Sequence, residues 1–171
     1  MQESVHNAVR ELLTEGTRAE LTVPMIATRA GVTPSTIYRR WGDLPELLAD
    51  VSSQRLRPDS DPADNGQLRA DLIQWLDQFV DEMASEPGLA MVRDVLGSST
   101  LGKVPCCTYT REAVGIIVER AIQRGEATPS VDTLMDHTVA PIMYRIVFGG
   151  ETISPAYAHR LVDVCLKDRE G

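Results

Sequence analysis

The segment from Thr22 to Leu48 constrains this chain more than any other, because within it one glycine divides two short helix signals. Thr22 is placed to cap a first helix with its hydroxyl, and Pro24 falls in the first turn, where a missing N–H is harmless. Met25, Ile26 and Ala30 recur at helical spacing for one buried stripe, and Ala27 is small enough for a second helix to cross closely. Gly31 ends the run as the residue that takes a left-handed conformation at little cost, and Val32 returns its side chain to a small core. Thr33 and Pro34 restart the helix as cap and first helical residue. Along this second helix Ile37 and Trp41, four apart, face inward. Ser35, Thr36, Tyr38, Arg39 and Arg40 remain outside, a surface of small hydroxyls, one phenol and two guanidinium groups. Such groups touch phosphates and base edges, so the segment reads as a DNA-reading helix-turn-helix whose second helix enters the major groove.

The rest of the chain also reads as helix, with no strand-like alternation of useful length. Residues 3 to 15 place Val5, Ala8, Val9 and Leu12 on one face, and Gly16 closes that run. A fourth helix follows Gly42-Asp43, carries Leu47, Leu48 and Val51 inward, and is stopped after Arg57 by Pro58. Residues 59 to 66 are a polar linker and a predicted hinge. Residues 67 to 85 set Leu68, Leu72, Trp75, Leu76, Phe79 and Met83 along one side, with Glu86-Pro87-Gly88 as a breaker. Further helices are expected over Leu89 to Gly97, over Thr108 to Arg124, and from Pro129-Ser130 and Ser154-Pro155 to the neighbourhoods of Phe148 and Lys167. Residues 97 to 105 read as a loop. The expected fold is all-α with about nine helices: a three-helix reading head over residues 1–50 and a helical bundle over residues 51–171.

The 171 residues, 43% hydrophobic, suffice for one small and one medium folded domain. A formal charge of −8 is unusual for a DNA binder until it is divided by region. Residues 1–57 hold seven arginines and seven acids, whereas residues 58–171 hold ten lysines and arginines against eighteen acids. The acidity therefore belongs to the bundle. A neutral head attracts DNA weakly by itself, which predicts modest affinity and a need to pair two heads. No apolar run approaches the roughly 20 residues that span a bilayer, and no signal peptide opens the chain, so the expected location is the cytoplasm. The three cysteines fit a reducing compartment. Cys106-Cys107 lacks the two-residue spacing of a metal site, even with Cys165, His137 or His159 brought near, so no metal and no cofactor are expected. Nothing pairs a nucleophile with a base or forms a phosphate-cradling glycine loop, and acids such as Asp81-Glu82 point to different helix faces. An enzyme is not expected.

Thr22, Ile26-Ala27, Ala30-Gly31-Val32, Thr36-Ile37-Tyr38, Trp41 and Leu47-Leu48 together resemble the DNA-binding domain of the TetR family of bacterial transcriptional regulators. The resemblance implies that Thr33, Pro34, Ser35, Thr36, Tyr38, Arg39 and Arg40 face DNA, with Thr22 touching a phosphate from the preceding helix. The sequence departs from that family twice. Leu44 stands where the family usually has a lysine at the start of its fourth helix, and Met-Gln-Glu-Ser-Val is not the basic arm usual before its first. Arg124-Gly-Glu, Pro141-Ile-Met-Tyr-Arg and Val162-Asp-Val look like one common type of TetR regulatory domain, which implies that residues 51–171 bind a small molecule and dimerise. Trp75, Phe79, Met83, Met91 and Ile117 are the apolar candidates for lining a pocket, with Tyr109 or His137 as polar handles.

Residues 131 to 148 carry apolar side chains on more than one narrow stripe, more than this chain's own core needs. Val139, Ile142, Met143 and Ile146, with Tyr157, Leu161 and Val164 of the last helix, are therefore expected to form a four-helix interface about a twofold axis. Closure of the monomer by these same faces is the other reading. TetR relatives pair through their last two helices, so the resemblance implies a homodimer on an inverted-repeat operator, acting as a repressor and released by a small molecule. The alternative is a helical protein-binding or small-molecule-sequestering protein with a weakened DNA-binding head.

Overall fold

A computed structural model describes residues 1–55, 60–98, 106–150 and 152–167. These residues form nine helices and no strand, and they divide into two compact units. Of the described residues, the first unit holds 1–55 and 93–98, and the second holds 60–92, 106–150 and 152–167.

In the first unit, α1 (Gln2–Glu15) buries Val5, Ala8 and Val9 on the face expected of them. A single 3-10 turn, Arg18–Glu20, follows, and the Glu20 carboxylate accepts from both the backbone N–H and the hydroxyl of Thr17. The next helix, α2 (Val23–Ala30), starts where Thr22 accepts from Met25 N and ends at Gly31, whose φ of 69° satisfies the left-handed cap. Helix α3 (Pro34–Trp41) comes next, and Asp43 caps the N-terminus of α4 (Leu44–Arg55) by accepting from Glu46 N at 2.9 Å. Ile26, Ile37 and Leu47 meet at the centre of the core, each fully buried. Met25 is 44% exposed instead of lying in the buried stripe. Val23, Ile26 and Ala27 define the inward arc of this two-turn helix, and a residue one position before Ile26 falls about 100° away from it.

Helix α4 continues past residue 50, and Val51 is part of the same core, so the head extends beyond the expected boundary. It also contains the end of α6 (Glu86–Gly97), which the sequence places wholly in the bundle. There the buried Asp94 accepts from Ser52 Oγ at 2.7 Å and pairs with Arg18, while Ser98 Oγ donates to Glu46.

In the second unit, α5 (Leu68–Ala84) buries Leu68, Leu72, Leu76, Val80 and Met83. Glu86-Pro87-Gly88, expected to break the run, instead forms the first turn of α6. Ser85 leaves the helical conformation to end α5 and at once caps α6, accepting from Gly88 N through its hydroxyl at 3.0 Å. Pro87 is harmless there because first-turn N–H groups have no helical partner. Helix α7 (Cys106–Gln123) begins two residues earlier than expected and buries Val114, Ile117 and Ala121. Ser130 caps α8, one continuous helix over residues 131–149 in which π-helical turns at Met135–Val139 and Arg145–Gly149 alternate with α-helical ones. Helix α9 (Pro155–Lys167) packs on α5, where Arg69 meets Asp163 at 2.7 Å and His159 meets Asp77 at 2.9 Å.

The predicted hinge is not a free linker over its described part. Arg120 of α7 donates to the carbonyl of Pro62 at 2.6 Å, and Arg124 reaches Asp64 at 2.9 Å and the buried Asp71 at 3.0 Å. Asp71 also accepts from Asn65 N, and Glu126 accepts from Leu68 N at the start of α5. Residues 61–66 are thereby bound to their own unit. The expected end of α4 at Arg57 and the 97–105 loop beyond Ser98 lie outside the described residues. No described helix is long and apolar enough to cross a membrane, and no group of three metal-ligating side chains occurs among the described residues.

Candidate nucleic-acid interface

The outer face of α3 has the composition expected of it. Thr33 occupies the cap position, but its hydroxyl bonds to Ser35 Oγ at 2.9 Å and Thr36 Oγ1 at 3.0 Å instead of to the backbone. The result is a small hydroxyl cluster around Pro34 at the positive end of the helix. One turn on, Tyr38 is 48% exposed, and Arg39 is exposed with no hydrogen bond or ion pair to any described residue. Arg40 is exposed as well but is partly held, donating to Gln2 Oε1 of α1 while its guanidinium lies 5.2 Å from the centre of the Trp41 ring. Thr22 is exposed on the adjoining helix, its hydroxyl engaged with Met25 N.

The neutral overall charge of the head conceals an uneven local one. Arg29 is bound by Glu15 at 2.7 Å and by Glu11 at 3.3 Å, and these carboxylates raise its already high pKa. Arg18 is paired with Asp94, Glu20 is used in its own turn, and Asp50 faces His6 and Trp41. These acids and bases thus satisfy one another, while Arg39 is left to project its charge outward. Leu44, in the position where the resemblance leads one to expect lysine, is half-buried against the core and cannot supply a phosphate contact.

The residues expected to line a pocket are distributed unevenly. Trp75 and Phe79 of α5 are half-buried and stacked, their rings 5.3 Å apart, and Met83, Met91 and Ile117 are buried. Tyr109 is half-buried on α7. His137 is exposed on α8 with its Nδ1 on the carbonyl of Thr133, so it does not join the buried residues as a polar handle.

Among the expected interface residues, Val139, Ile142 and Ile146 are buried within this chain. Met143, Tyr157 and Leu161 are half-buried, and Val164 is 50% exposed. The α8 residues that do face outward are Tyr144 and Phe148, 67% and 72% exposed, their rings 5.4 Å apart. Tyr144 also lines an open depression of about 560 Å³ with Pro141, Arg145 and Gly149. The four-residue spacing of the two aromatics is a signal in the sequence, obscured by their many aliphatic neighbours.

A family model for bacterial regulatory proteins of the tetR family matches residues 6–51, and one for the tetracyclin repressor-like C-terminal domain matches residues 62–165. The chain belongs to the TetR family, as a helix-turn-helix DNA-binding transcriptional regulator. It is similar to the HTH-type transcriptional regulator YdeS of Bacillus subtilis, 25% identical over 93% of this chain and 84% of that one. It is 29% identical to the DNA-binding transcriptional repressor TetR of Mycobacteroides abscessus, over 81% of this chain and 77% of the relative. Its fold is that of Thermus thermophilus FadR, a TetR-family transcriptional repressor solved in complex with lauroyl-CoA. That likeness has a TM-score of 0.71 at 17% identity and covers 99% of this chain and 95% of that one.

Proposed function

We propose that the protein is a homodimeric repressor that places two copies of α3 in successive major grooves of an inverted-repeat operator and lets go when a small molecule binds its second unit. The observation that carries the reading is the outer face of α3, where exposed Tyr38 and Arg39 stand one turn from the Thr33, Ser35 and Thr36 hydroxyls. On this reading Arg39 and Tyr38 meet base edges or phosphates, Thr33, Pro34, Ser35 and Thr36 abut the backbone, Arg40 flanks the groove, and Thr22 touches a phosphate from α2. Pairing through α8 and α9 is supported by exposed Tyr144, Phe148 and Val164, apolar groups whose burial a second copy would complete. A ligand site beside Trp75, Phe79, Met83, Met91, Ile117 and Tyr109 is supported by their apolar surface on α5 to α7, and FadR, of the same fold, was solved in complex with lauroyl-CoA. The protein acts in the cytoplasm, where bacterial DNA lies, and by binding rather than turnover.

The test is a titration of the DNA flanking its own gene at two salt concentrations, with Tyr38→Ala and Arg39→Ala as controls. A salt-sensitive preference for an inverted repeat, lost in both variants, supports the reading. No preference for any repeat removes it in favour of a helical protein-binding or sequestering function.

A further inference from the structure

Beneath α3 lies a polar cluster that a DNA-docking surface does not itself require. His6 of α1 is 1% exposed; its Nε2 stands 2.9 Å from Asp50 Oδ2 and its Nδ1 2.8 Å from Gln54 Oε1, both on α4. The same Asp50 oxygen accepts the indole N–H of Trp41, the last residue of α3, at 2.7 Å. Gln2 donates to it at 3.4 Å and in turn accepts from Arg40. One carboxylate thus ties the C-terminal end of α3 to α1 and α4. The His6 ring holds the Asp50 carboxyl below the usual carboxylate range, partial burial opposes this, and the Trp41 N–H adds to the lowering.

Both ring nitrogens of His6 face oxygen acceptors as the Gln54 amide stands, an arrangement that an imidazolium satisfies fully. A half-turn of the amide would present its NH2 to Nδ1 and satisfy the neutral ring equally well. Either charge state can therefore be housed with every polar atom paired. The groups around the ring are Asp50 and Gln54 of α4, Arg40 and Trp41 of α3, and Gln2 of its own helix. From α2 the core receives Val23, Ile26 and Ala27, and the charged residue of that helix, Arg29, is bound by Glu11 and Glu15. No other histidine precedes His137. In the head, His6 is accordingly the side chain of the type that ordinarily changes charge between about pH 5 and 8.

We propose that His6 is a proton-responsive positioning residue for DNA recognition, its charge state being transmitted through Asp50 to Trp41 and so to the set of α3. The proposal rests on the reading of α3 as the DNA-docking helix. As a cation, His6 completes an ion pair that fixes Asp50 under the indole; as a neutral ring it holds the same carboxylate less firmly. Phosphates favour the added positive charge, so operator affinity rises as pH falls.

The first measurement needs no DNA. In Trp75→Phe protein the emission comes from Trp41, whose ring lies 5.9 Å from His6, and an imidazolium at that range quenches an indole. Emission should fall on acidification from about pH 8 to about pH 6, and His6→Gln should abolish the change. The second measurement is fluorescence anisotropy with a labelled duplex from upstream of the protein's own gene, at constant ionic strength. Affinity should rise about three- to tenfold over that range, as one linked proton per head allows. His6→Gln should flatten the dependence. Trp41→Phe, which keeps the aromatic ring and the histidine but deletes the N–H, should weaken binding and flatten it too. If His6→Gln does not fold, Asp50→Asn, which keeps an acceptor for Trp41 without the charge, should show the same flattening. Emission that does not titrate, affinity that is level with pH in wild type, or a Trp41→Phe variant with the full pH slope each overturn the proposal, the last by reducing the effect to charge at a distance. A wild type that binds no duplex at any pH sinks the operator-binding reading and leaves emission to decide. In that case a titration lost in His6→Gln supports the coupling to Trp41, and level emission overturns it.

Discussion

A β-carbon placed on Gly88 would stand 2.1 Å from the carbonyl oxygen of Glu82 and 2.9 Å from that of Met83. The end of α5 is packed directly on the first turn of α6, and only a residue without a side chain fits between them. Gly88→Ala should destabilise the protein by about 1–3 kcal/mol, as overpacking of a closed contact does. Gly115, inside α7, is the control: a β-carbon there would meet no atom within 4 Å, so Gly115→Ala should stabilise by about 0.5–1 kcal/mol. Urea denaturation of the two variants, compared at equal m-value, checks both signs.

Arg124 joins three carboxylates of the second unit, those of Asp64, Glu126 and Asp71, the last of them fully buried. Removing the arginine leaves a carboxylate in the interior with Asn65 N as its remaining described partner. Arg124→Gln should therefore destabilise more than the double variant Arg124→Gln/Asp71→Asn, in which the orphaned charge is gone. Urea midpoints of the single variants, the double variant and wild type give the coupling. A double variant no more stable than Arg124→Gln would show that the carboxylate is solvated once the arginine leaves.

Helix ends were legible from the sequence because their signals are local. Thr22 and Ser130 act as caps, Gly31 makes the left-handed turn, and each needs only its near neighbours. The Arg124 hub was not legible, since it joins residues up to 60 positions apart and turns a polar stretch with the composition of a hinge into a fixed strap. Nor was the facing of α8. Its apolar side chains cover more than one stripe, and the sequence does not say which stripe turns inward; Val139, Ile142 and Ile146 close the chain's own core, while Tyr144 and Phe148 stay outside. In the proposed DNA-facing set, residue types on α3 were readable, but His6, Asp50 and Gln54 beneath them were not, because nothing in their spacing marks them as neighbours.

Asp50 also predicts how the head responds to acid. Its carboxyl is held below its ordinary value of 3.8, mainly by His6, so the native state binds this proton less readily than the unfolded chain does. The resulting stability is fully present above the ordinary carboxylate range and is lost as pH falls through the lowered native value. The gap in stability between wild type and Asp50→Asn should close as pH falls below about pH 4. Urea titrations from mild acid downward measure it, and a gap still open well below about pH 4 would contradict the assignment.

Tyr38 and Arg39 are exposed and make no hydrogen bond to any described residue, so truncating them should cost the fold almost nothing. Tyr38→Ala and Arg39→Ala should each leave the melting temperature unchanged while weakening operator binding by about 1–3 kcal/mol per head. The salt dependence separates their roles. If Arg39 neutralises a phosphate, its removal lowers the slope of log affinity against log salt by about one; if it reads a base edge, removal relaxes sequence preference and leaves the slope in place. Filter binding at three salt concentrations, with operator and scrambled duplexes, distinguishes the two.

Phe148 and Ile142 lie on the same helix and should respond oppositely to a buried-to-charged test of the dimer. Ile142 is fully buried within its own chain, so Ile142→Glu should unfold the second unit whether or not a partner is present. Phe148 is 72% exposed and contacts Tyr144, so Phe148→Glu should leave the monomer folded. If the exposed face of α8 is where two copies meet, that glutamate is buried without a partner charge, and the sedimentation coefficient at micromolar concentration should fall to that of a monomer while the helical circular dichroism signal persists. A Phe148→Glu protein that still sediments as a dimer would place the twofold contact elsewhere on the chain.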